Sequence, residues 1–269
     1  FKVGDRVALN QSIPCGSCED CEDGYENLCD NTTRIGGGFG ENVAIPELAI
    51  VQGNLLKMPD SLSFRDGVHA EALAAVVNCN ELLDINLRDT VLVIGAGPVG
   101  FLHAQLAKVS GAAKVIITDL NQERLDVAKE LSRADVFING SVENLEERLK
   151  EETNGRGPSK VIVANSNGNA QEQGMRVVSK RGIVSMFGFT HKEWEHIKFD
   201  SNDCHYREFF VTGAFAYSRK QFKIALDLLA SGAIRVEAMN THIMPIEQTV
   251  EAMENMKAGN GMKTLVDFL

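Results

Sequence analysis

Four cysteines, Cys15, Cys18, Cys21 and Cys29, follow one another with the spacing C-x2-C-x2-C-x7-C. Four thiolates on a tight loop supply the tetrahedron of soft ligands that Zn²⁺ prefers, and such an all-cysteine site is closed, structural, and leaves no position for a substrate. Disulfides are the first alternative. Nothing before the cluster reads as a secretory signal, and six cysteines in 269 residues are too few for a disulfide scaffold. An iron–sulfur cluster is the second, because the ferredoxin run opens with the same spacing; its next cysteine follows after three residues and precedes a proline. Here seven residues intervene and Asp30 follows.

A second constellation, Gly95-Ala96-Gly97-Pro98-Val99-Gly100, is a G-x-G-x-x-G string. Alone it is weak. It follows the apolar run Val91-Leu92-Val93-Ile94 and opens a helical pattern, and Asp119 ends the next apolar run about 20 residues on, the arrangement of a dinucleotide-binding turn. Gly95 would permit the tight turn, Gly97 the approach of a pyrophosphate, and Gly100 close packing of helix on strand. Free N–H groups at the helix start, around Pro98 and Val99, would meet the phosphates. Pro98 gives up only an N–H that has no intrahelical partner. Asp119 would accept the ribose hydroxyls and repel the extra phosphate of NADP, which favours NAD; Arg124, one helical turn on, keeps NADP open. A glycine turn in some other α/β protein is the bland reading.

These residues need a scaffold. Residues 1 to about 57 alternate short apolar runs with glycine turns and read as β-rich. Ser61 or Ser63 would cap a helix running through Glu71 towards Leu82. From Thr90 to about Ala214 strands alternate with helices, which implies a parallel sheet with crossover connections, an α/β class. Strands are expected at 91–94, 114–118, 136–138, 160–164, 183–187 and 209–212, with helices at 98–109, 122–131, 143–152 and 170–178. The tail carries helices at 220–230 and 246–257 and a strand at 264–268. It lacks the crossover rhythm and is assigned to the first lobe.

Composition narrows the partners. With 44% hydrophobic residues the chain can fill a real core, and no apolar run reaches the roughly 18 residues needed to cross a bilayer. Lysine and arginine total 27 against 37 acidic residues, so nucleic acid and anionic membranes find no electrostatic support. A small-molecule ligand and a cytoplasmic location are expected. The opening, Val3-Gly4-Asp5-Arg6-Val7, reads as a strand joining a sheet already under way.

Taken together, Gly4-Asp5-Arg6-Val7, the cysteine lobe with Asn27-Leu28-Cys29, the Asp119-to-Leu125 segment and Thr241-His242-Ile243-Met244-Pro245-Ile246-Glu247 resemble the zinc-dependent medium-chain dehydrogenase/reductase family, over nearly the whole chain. Its alcohol and polyol dehydrogenases, the sorbitol dehydrogenases among them, are the most similar group. The resemblance implies a doubly wound Rossmann sheet over 73–215 that binds NAD. It also implies a β-rich GroES-like catalytic domain over 1–72, to which 216–269 returns. It implies hydride transfer between a secondary alcohol or polyol and NAD, assisted by a second, catalytic Zn²⁺ acting as a Lewis acid. In the family that ion is held by a cysteine and a His-Glu pair located before the structural zinc loop; neither is in this sequence, which begins after the point where they should lie. Glu71, in His69-Ala70-Glu71-Ala72-Leu73-Ala74, matches a glutamate that approaches the catalytic zinc, although Ala72 stands where proline is usual. Lys263 matches a position where a cation can meet the cofactor phosphate. A homodimer or homotetramer, paired through 209–216, is implied as well.

Asn165, Ser166, Phe187 and Gly188 fall at carboxyl ends of expected strands, where ligands lie in open parallel sheets, and are candidates for the nicotinamide end. His69 beside a helix start reads as a surface or capped side chain, Cys79 as a packed thiol, and Cys204 and His205 as incidental. Glu71 read without the family is a helix N-terminal glutamate favoured by the macrodipole. The alternative function is a zinc-stabilised dinucleotide-binding module without catalytic zinc or dehydrogenase activity.

Overall fold

The computed structural model describes residues 1–194 and 196–268. The chain divides into two compact units, Phe1–Val77 with Phe215–Leu269, and Asn78–Ala214.

In the second unit six strands form one sheet, in the order Phe210–Gly213, Ile183–Met186, Lys160–Val163, Thr90–Ile94, Lys114–Asp119, Val136–Asn139. Every neighbouring pair is parallel. The chain starts in the middle, runs outward through 114–119 and 136–139, then crosses back to 160–163 and runs out the other way. The order therefore reverses between Thr90–Ile94 and Lys160–Val163, and a crevice for ligands opens at the carboxyl ends of strands at such a point.

The strands are apolar throughout because both faces are covered, as parallel crossovers require. Side chains alternate between two cores with the period of a strand: Val91 and Val93 belong to one, Leu92 and Ile94 to the other. Helices Pro98–Val109 and Gln122–Leu131 cover the first face with Ala104, Ala107, Leu125 and Ala128. Helices Leu145–Glu152 and Gly168–Val177 cover the second with Leu145, Leu149 and Met175. Caps set the helix starts: Asn144 accepts from the Glu146 and Glu147 N–H groups, and Asn167 from that of Asn169.

The first unit is less β-rich than its residues suggest. Val7–Leu9 pairs antiparallel with Leu55–Lys57, Ser12–Ile13 with Thr33–Arg34, and Asn240–Pro245 lies parallel to Lys263–Asp267. Residues 36–46 form no strand, and Pro46 starts a short helix, Glu47–Val51. The helix expected from Ser61 or Ser63 to Leu82 is broken in two. Ser63 caps one turn, Phe64–Gly67, and a second helix runs Ala70–Leu83. At Gly67 a Cβ would stand 2.6 Å from Met58 Cε, so the turn is pressed onto its neighbour there. His69 occupies the break. Of the two readings, a surface or a capped side chain, the first fails: His69 is 1% exposed, and its Nε2 lies 2.6 Å from Asn240 Oδ1. The returning segment begins with Ser218, which forms a capping box with Gln221 at the head of Arg219–Ala230.

Cys79 lies fully buried with Sγ 3.3 Å from Ser185 Oγ, and burial pushes its thiol up to about 12. His103, on the helix Pro98–Val109, is buried with its ring edge-on to Phe187 at 4.5 Å and its Nε2 without a hydrogen-bond partner. Burial holds its pKa down, to about 3 from 6.5. Between those values the unfolded chain binds a proton that the folded chain refuses, so the group's contribution is complete above pH 6.5 and is lost as pH falls. His103→Leu should therefore be more stable than the parent, and the gap should widen by about 2 kcal/mol between pH 6.5 and 5. Denaturant titrations at several pH values measure it; parallel pH profiles would show that His103 contributes nothing.

Candidate functional site

The G-x-G-x-x-G segment forms a tight turn between Thr90–Ile94 and Pro98–Val109. Gly95 has φ +115°, a conformation closed to most side chains, and its N–H donates to the Thr118 carbonyl at 2.7 Å. A Cβ on Gly100 would lie 1.8 Å from the Gly95 carbonyl oxygen, so the helix can meet the turn only through glycine. Gly97 differs: nothing lies within 4 Å of the position its Cβ would take. That open face is where a ligand can approach the backbone. The first intrahelical bond is Phe101 N–H to Gly97 carbonyl, which leaves the N–H groups of Val99 and Gly100 at the positive end of the helix.

Asp119 closes the next strand and turns back over this loop. Its Oδ2 accepts the Ala96 N–H at 2.7 Å and its Oδ1 the Asn121 N–H at 2.9 Å. Two backbone donors thus orient the carboxylate, and each oxygen keeps a lone pair for a further donor such as a ribose hydroxyl. Leu120 is exposed, and Asn121 caps the next helix by accepting the Arg124 N–H. Arg124 lies in the first turn of that helix, half-buried.

Asn165, Ser166, Phe187 and Gly188 lie at the carboxyl ends of the two adjoining strands of the same sheet. A Cβ on Gly188 would stand 2.0 Å from the Asn165 carbonyl oxygen, and the Gly188 N–H donates to the Val163 carbonyl at 2.9 Å. The Asn165 side chain is occupied: Oδ1 accepts the Asn167 N–H at 3.1 Å, and Nδ2 reaches the Ile94 carbonyl at 3.4 Å. Gly95, Gly97, Pro98, Val99, Gly100 and Asp119 therefore share one edge of the sheet with these four. Lys263 belongs to the first unit, where it begins the strand Lys263–Asp267.

The cysteine lobe is built from reversals. Gly16 (φ +74°) and Gly24 (φ +89°) turn the chain, Cys18 heads the one-turn helix Glu19–Glu22 that carries Cys21, and a 3₁₀ turn, Glu26–Leu28, delivers Cys29. All four sulfurs lie within 4.8 Å of one another, and Cys15 Sγ is 4.0 Å from Cys21 Sγ. Tetrahedral zinc with bonds near 2.3 Å spaces its sulfurs by about 3.8 Å, so the quartet fits the ion. No disulfide links these cysteines. The Ser17 N–H, chiefly, pulls the Cys15 thiol down to about 6, and the Cys15 N–H lowers Cys29. Cys18 and Cys21 are shifted the other way, Cys18 up to about 12 by its hydrogen bonds with the neighbouring thiols and Cys21 upward chiefly by burial.

Glu71 sits on the exposed side of the first turn of Ala70–Leu83. Tyr217, a buried phenol, has its pKa raised by burial and then by the charge of Glu71, which places the two groups side by side. Sequence reasoning missed Tyr217, since nothing in its local pattern separates it from a core aromatic. Among the described residues, the cysteine quartet is the only group of three or more ligand-type side chains placed to hold a metal. The residues around Glu71 do not amount to a second such site.

Residues 1–60 match the alcohol dehydrogenase GroES-like domain, and residues 98–231 match the zinc-binding dehydrogenase family. A probable D-xylulose reductase A from Aspergillus clavatus is 31% identical over 274 residues, covering 99% of this chain and 74% of that protein. Among solved structures, the alcohol dehydrogenase TADH from Thermus sp. ATN1 is 28% identical with a TM-score of 0.87, over 99% of this chain and 80% of its own. An alcohol dehydrogenase from Escherichia coli CFT073, solved with NADH, is 27% identical with a TM-score of 0.89, over 99% of this chain and 77% of its own. With a four-thiol lobe, a dinucleotide turn and these relatives in one chain, the protein belongs to the zinc-binding medium-chain dehydrogenase/reductase family.

Proposed function

We propose that this protein oxidises a secondary alcohol, a polyol by analogy with the relatives named D-xylulose reductase, by passing a hydride to NAD. The observation that carries the reading is the Asp119 carboxylate, held by two backbone N–H groups at the end of the second strand beside the open face of Gly97.

The chain's own contributions follow from that edge. The helix N-terminus at Pro98–Gly100 receives the pyrophosphate on free N–H groups and a positive dipole. Asp119 takes the adenosine ribose hydroxyls and sets a negative charge where NADP would bring a phosphate; Arg124 is the nearby cation that would soften this. Asn165, Ser166, Phe187 and Gly188 offer mostly backbone to the nicotinamide end: the Asn165 side chain is hydrogen-bonded, the Phe187 ring packs on His103, and Gly188 admits no side chain. NAD supplies the hydride acceptor. Zn²⁺ in the quartet is structural, since four thiolates leave it no open position. Glu71, beside Tyr217, is assigned as a contact for the reacting alcohol or its metal, and no step is derived through a second zinc. In this reading residues 73–215 serve the cofactor, and 1–72 with 216–269 the substrate and metal.

Two further attributes belong to the proposal. Phe210–Gly213 is an edge strand with Phe210 and Val211 exposed, and pairing it with a second copy would give a dimer or tetramer. A reducing cytoplasm suits four thiols that must stay unoxidised. No helix among the described residues is long and apolar enough to cross a membrane.

Two measurements test the function. Asp119→Ala should weaken NAD binding by roughly 10- to 100-fold, from the loss of hydrogen bonds to a charged group. Asp119→Asn, which preserves an acceptor but not the charge, should mainly relax discrimination against NADP. Unchanged NAD affinity in both variants would remove Asp119 from the site. Metal analysis and a polyol panel on the protein as its gene encodes it should find two zinc ions per subunit and NAD reduction. One zinc with no turnover would make it a zinc-stabilised dinucleotide-binding module instead.

A further inference from the structure

The zinc lobe carries no cation of its own. From Cys15 to Asp30 the chain has six acidic residues, Glu19, Asp20, Glu22, Asp23, Glu26 and Asp30, and no lysine or arginine. Four thiolates around one Zn²⁺ add two further negative charges. Concentrating that much charge on one short loop opposes deprotonation of the cysteines and weakens the hold on the ion unless a cation from elsewhere offsets it.

Such a cation arrives from the far end of the same unit. Arg219, the first residue of the helix Arg219–Ala230, places its guanidinium on Glu26, with Nε 3.1 and 2.9 Å from the two carboxylate oxygens and Nη2 also on Oε1. Its backbone N–H donates to Glu26 Oε2 at 3.2 Å, and Nη1 donates to the Gln52 carbonyl. Next to Glu26, Asn27 Nδ2 donates to the Phe215 carbonyl at 2.9 Å. The 3₁₀ turn Glu26–Leu28 that delivers Cys29 is thus fastened by both of its polar side chains to residues 215–219. The pair is mutual: Arg219 holds the Glu26 carboxyl below the ordinary carboxylate range, and Glu26 raises the Arg219 guanidinium, with the charge of Cys21 adding to the rise.

We infer that Arg219 is a positioning residue for the zinc centre: it fixes the turn that presents Cys29 and supplies the positive charge that the acidic lobe lacks. Zinc retention then depends on a residue separated from Cys29 by most of the chain and absent from the metal's own ligand set. Outer-shell partners of metal ligands commonly contribute 10- to 100-fold to affinity, and a bidentate guanidinium bond is geometrically demanding enough for lysine to be a poor substitute.

The inference rests on zinc occupying the quartet, and the experiment separates the two. Zinc release from the loaded full chain to an excess of a chromogenic chelator is followed for the parent, Arg219→Met, Arg219→Lys and a control, Arg65→Met, which breaks the Arg65–Asp267 pair of the same unit away from the lobe. Arg219→Met should release zinc roughly 10- to 100-fold faster, Arg219→Lys should fall between it and the parent, and Arg65→Met should match the parent. If Arg219→Met does not fold, Arg219→Lys carries the test, because it keeps the charge and loses only the fork. Parent-like release from the Arg219 variants, or equal acceleration by Arg65→Met, overturns the inference. A parent that holds no zinc at all overturns the assignment of the quartet instead.

Discussion

Parallel strands cannot be joined by a tight turn, and the cofactor edge follows from that constraint. Each crossover helix must cover one face of the sheet, so the strands are apolar on both sides, as the alternation of Val91 and Val93 with Leu92 and Ile94 between two cores displays. The helix that follows the first strand has to begin immediately beside it. Only the missing side chain of Gly100 lets its backbone pass the Gly95 carbonyl, and the same closeness puts the helix's unpaired N–H groups at the strand's end. Asp119 then completes the turn from the neighbouring strand by binding the Ala96 N–H. Packing and ligand chemistry here are one requirement met by the same residues.

In the other unit the constraint is charge. Four thiols in a lobe of six acidic residues need a metal, and the metal complex in turn remains anionic. The segment that re-enters this unit after Ala214 supplies what the lobe lacks, with Phe215 and Arg219 bound to Asn27 and Glu26. Between them lies Tyr217, a buried phenol whose pKa the neighbouring charge of Glu71 helps to raise. Five residues of chain therefore support both the zinc loop and the acidic side chain assigned to the substrate, and a disturbance at either end has a short covalent path to the other.

What the amino-acid sequence makes legible is what local chemistry encodes. The cysteine spacing, the glycine turn after an apolar run and the acidic residue ending the next strand are each complete within a few residues, and the strand and helix periods of 90–214 repeat often enough to reveal the α/β class. Features that depend on distant partners are not legible. His69 is read as a surface or capped side chain because its partner Asn240 lies in a strand near the end of the chain, and Tyr217 is silent until it is found buried beside Glu71. The helix from Ser63 is interrupted for the same kind of reason. Gly67 is a weak helix breaker by composition, but its contact with Met58 is a tertiary fact. In the first unit, strands of two or three residues carry too short an alternation to be told from turns.

The net charge of −10 bears on how an anionic dinucleotide is held at all. Long-range attraction is unavailable, and a field of this sign slows the approach of any phosphate. In the proposed reading affinity comes from short-range, oriented dipoles: the N–H groups of Val99 and Gly100, beside Gly97, which presents no side chain. Such dipoles suit a pyrophosphate, whose charge sits on the helix axis, and they fade within a turn, so they do nothing for a phosphate on the distant ribose. At that end the local field is set by Asp119, which is negative and held in place by two backbone bonds. In the proposed reading, a preference for NAD over NADP would rest on the Asp119 carboxylate, held by two backbone N–H groups, rather than on a dedicated pocket.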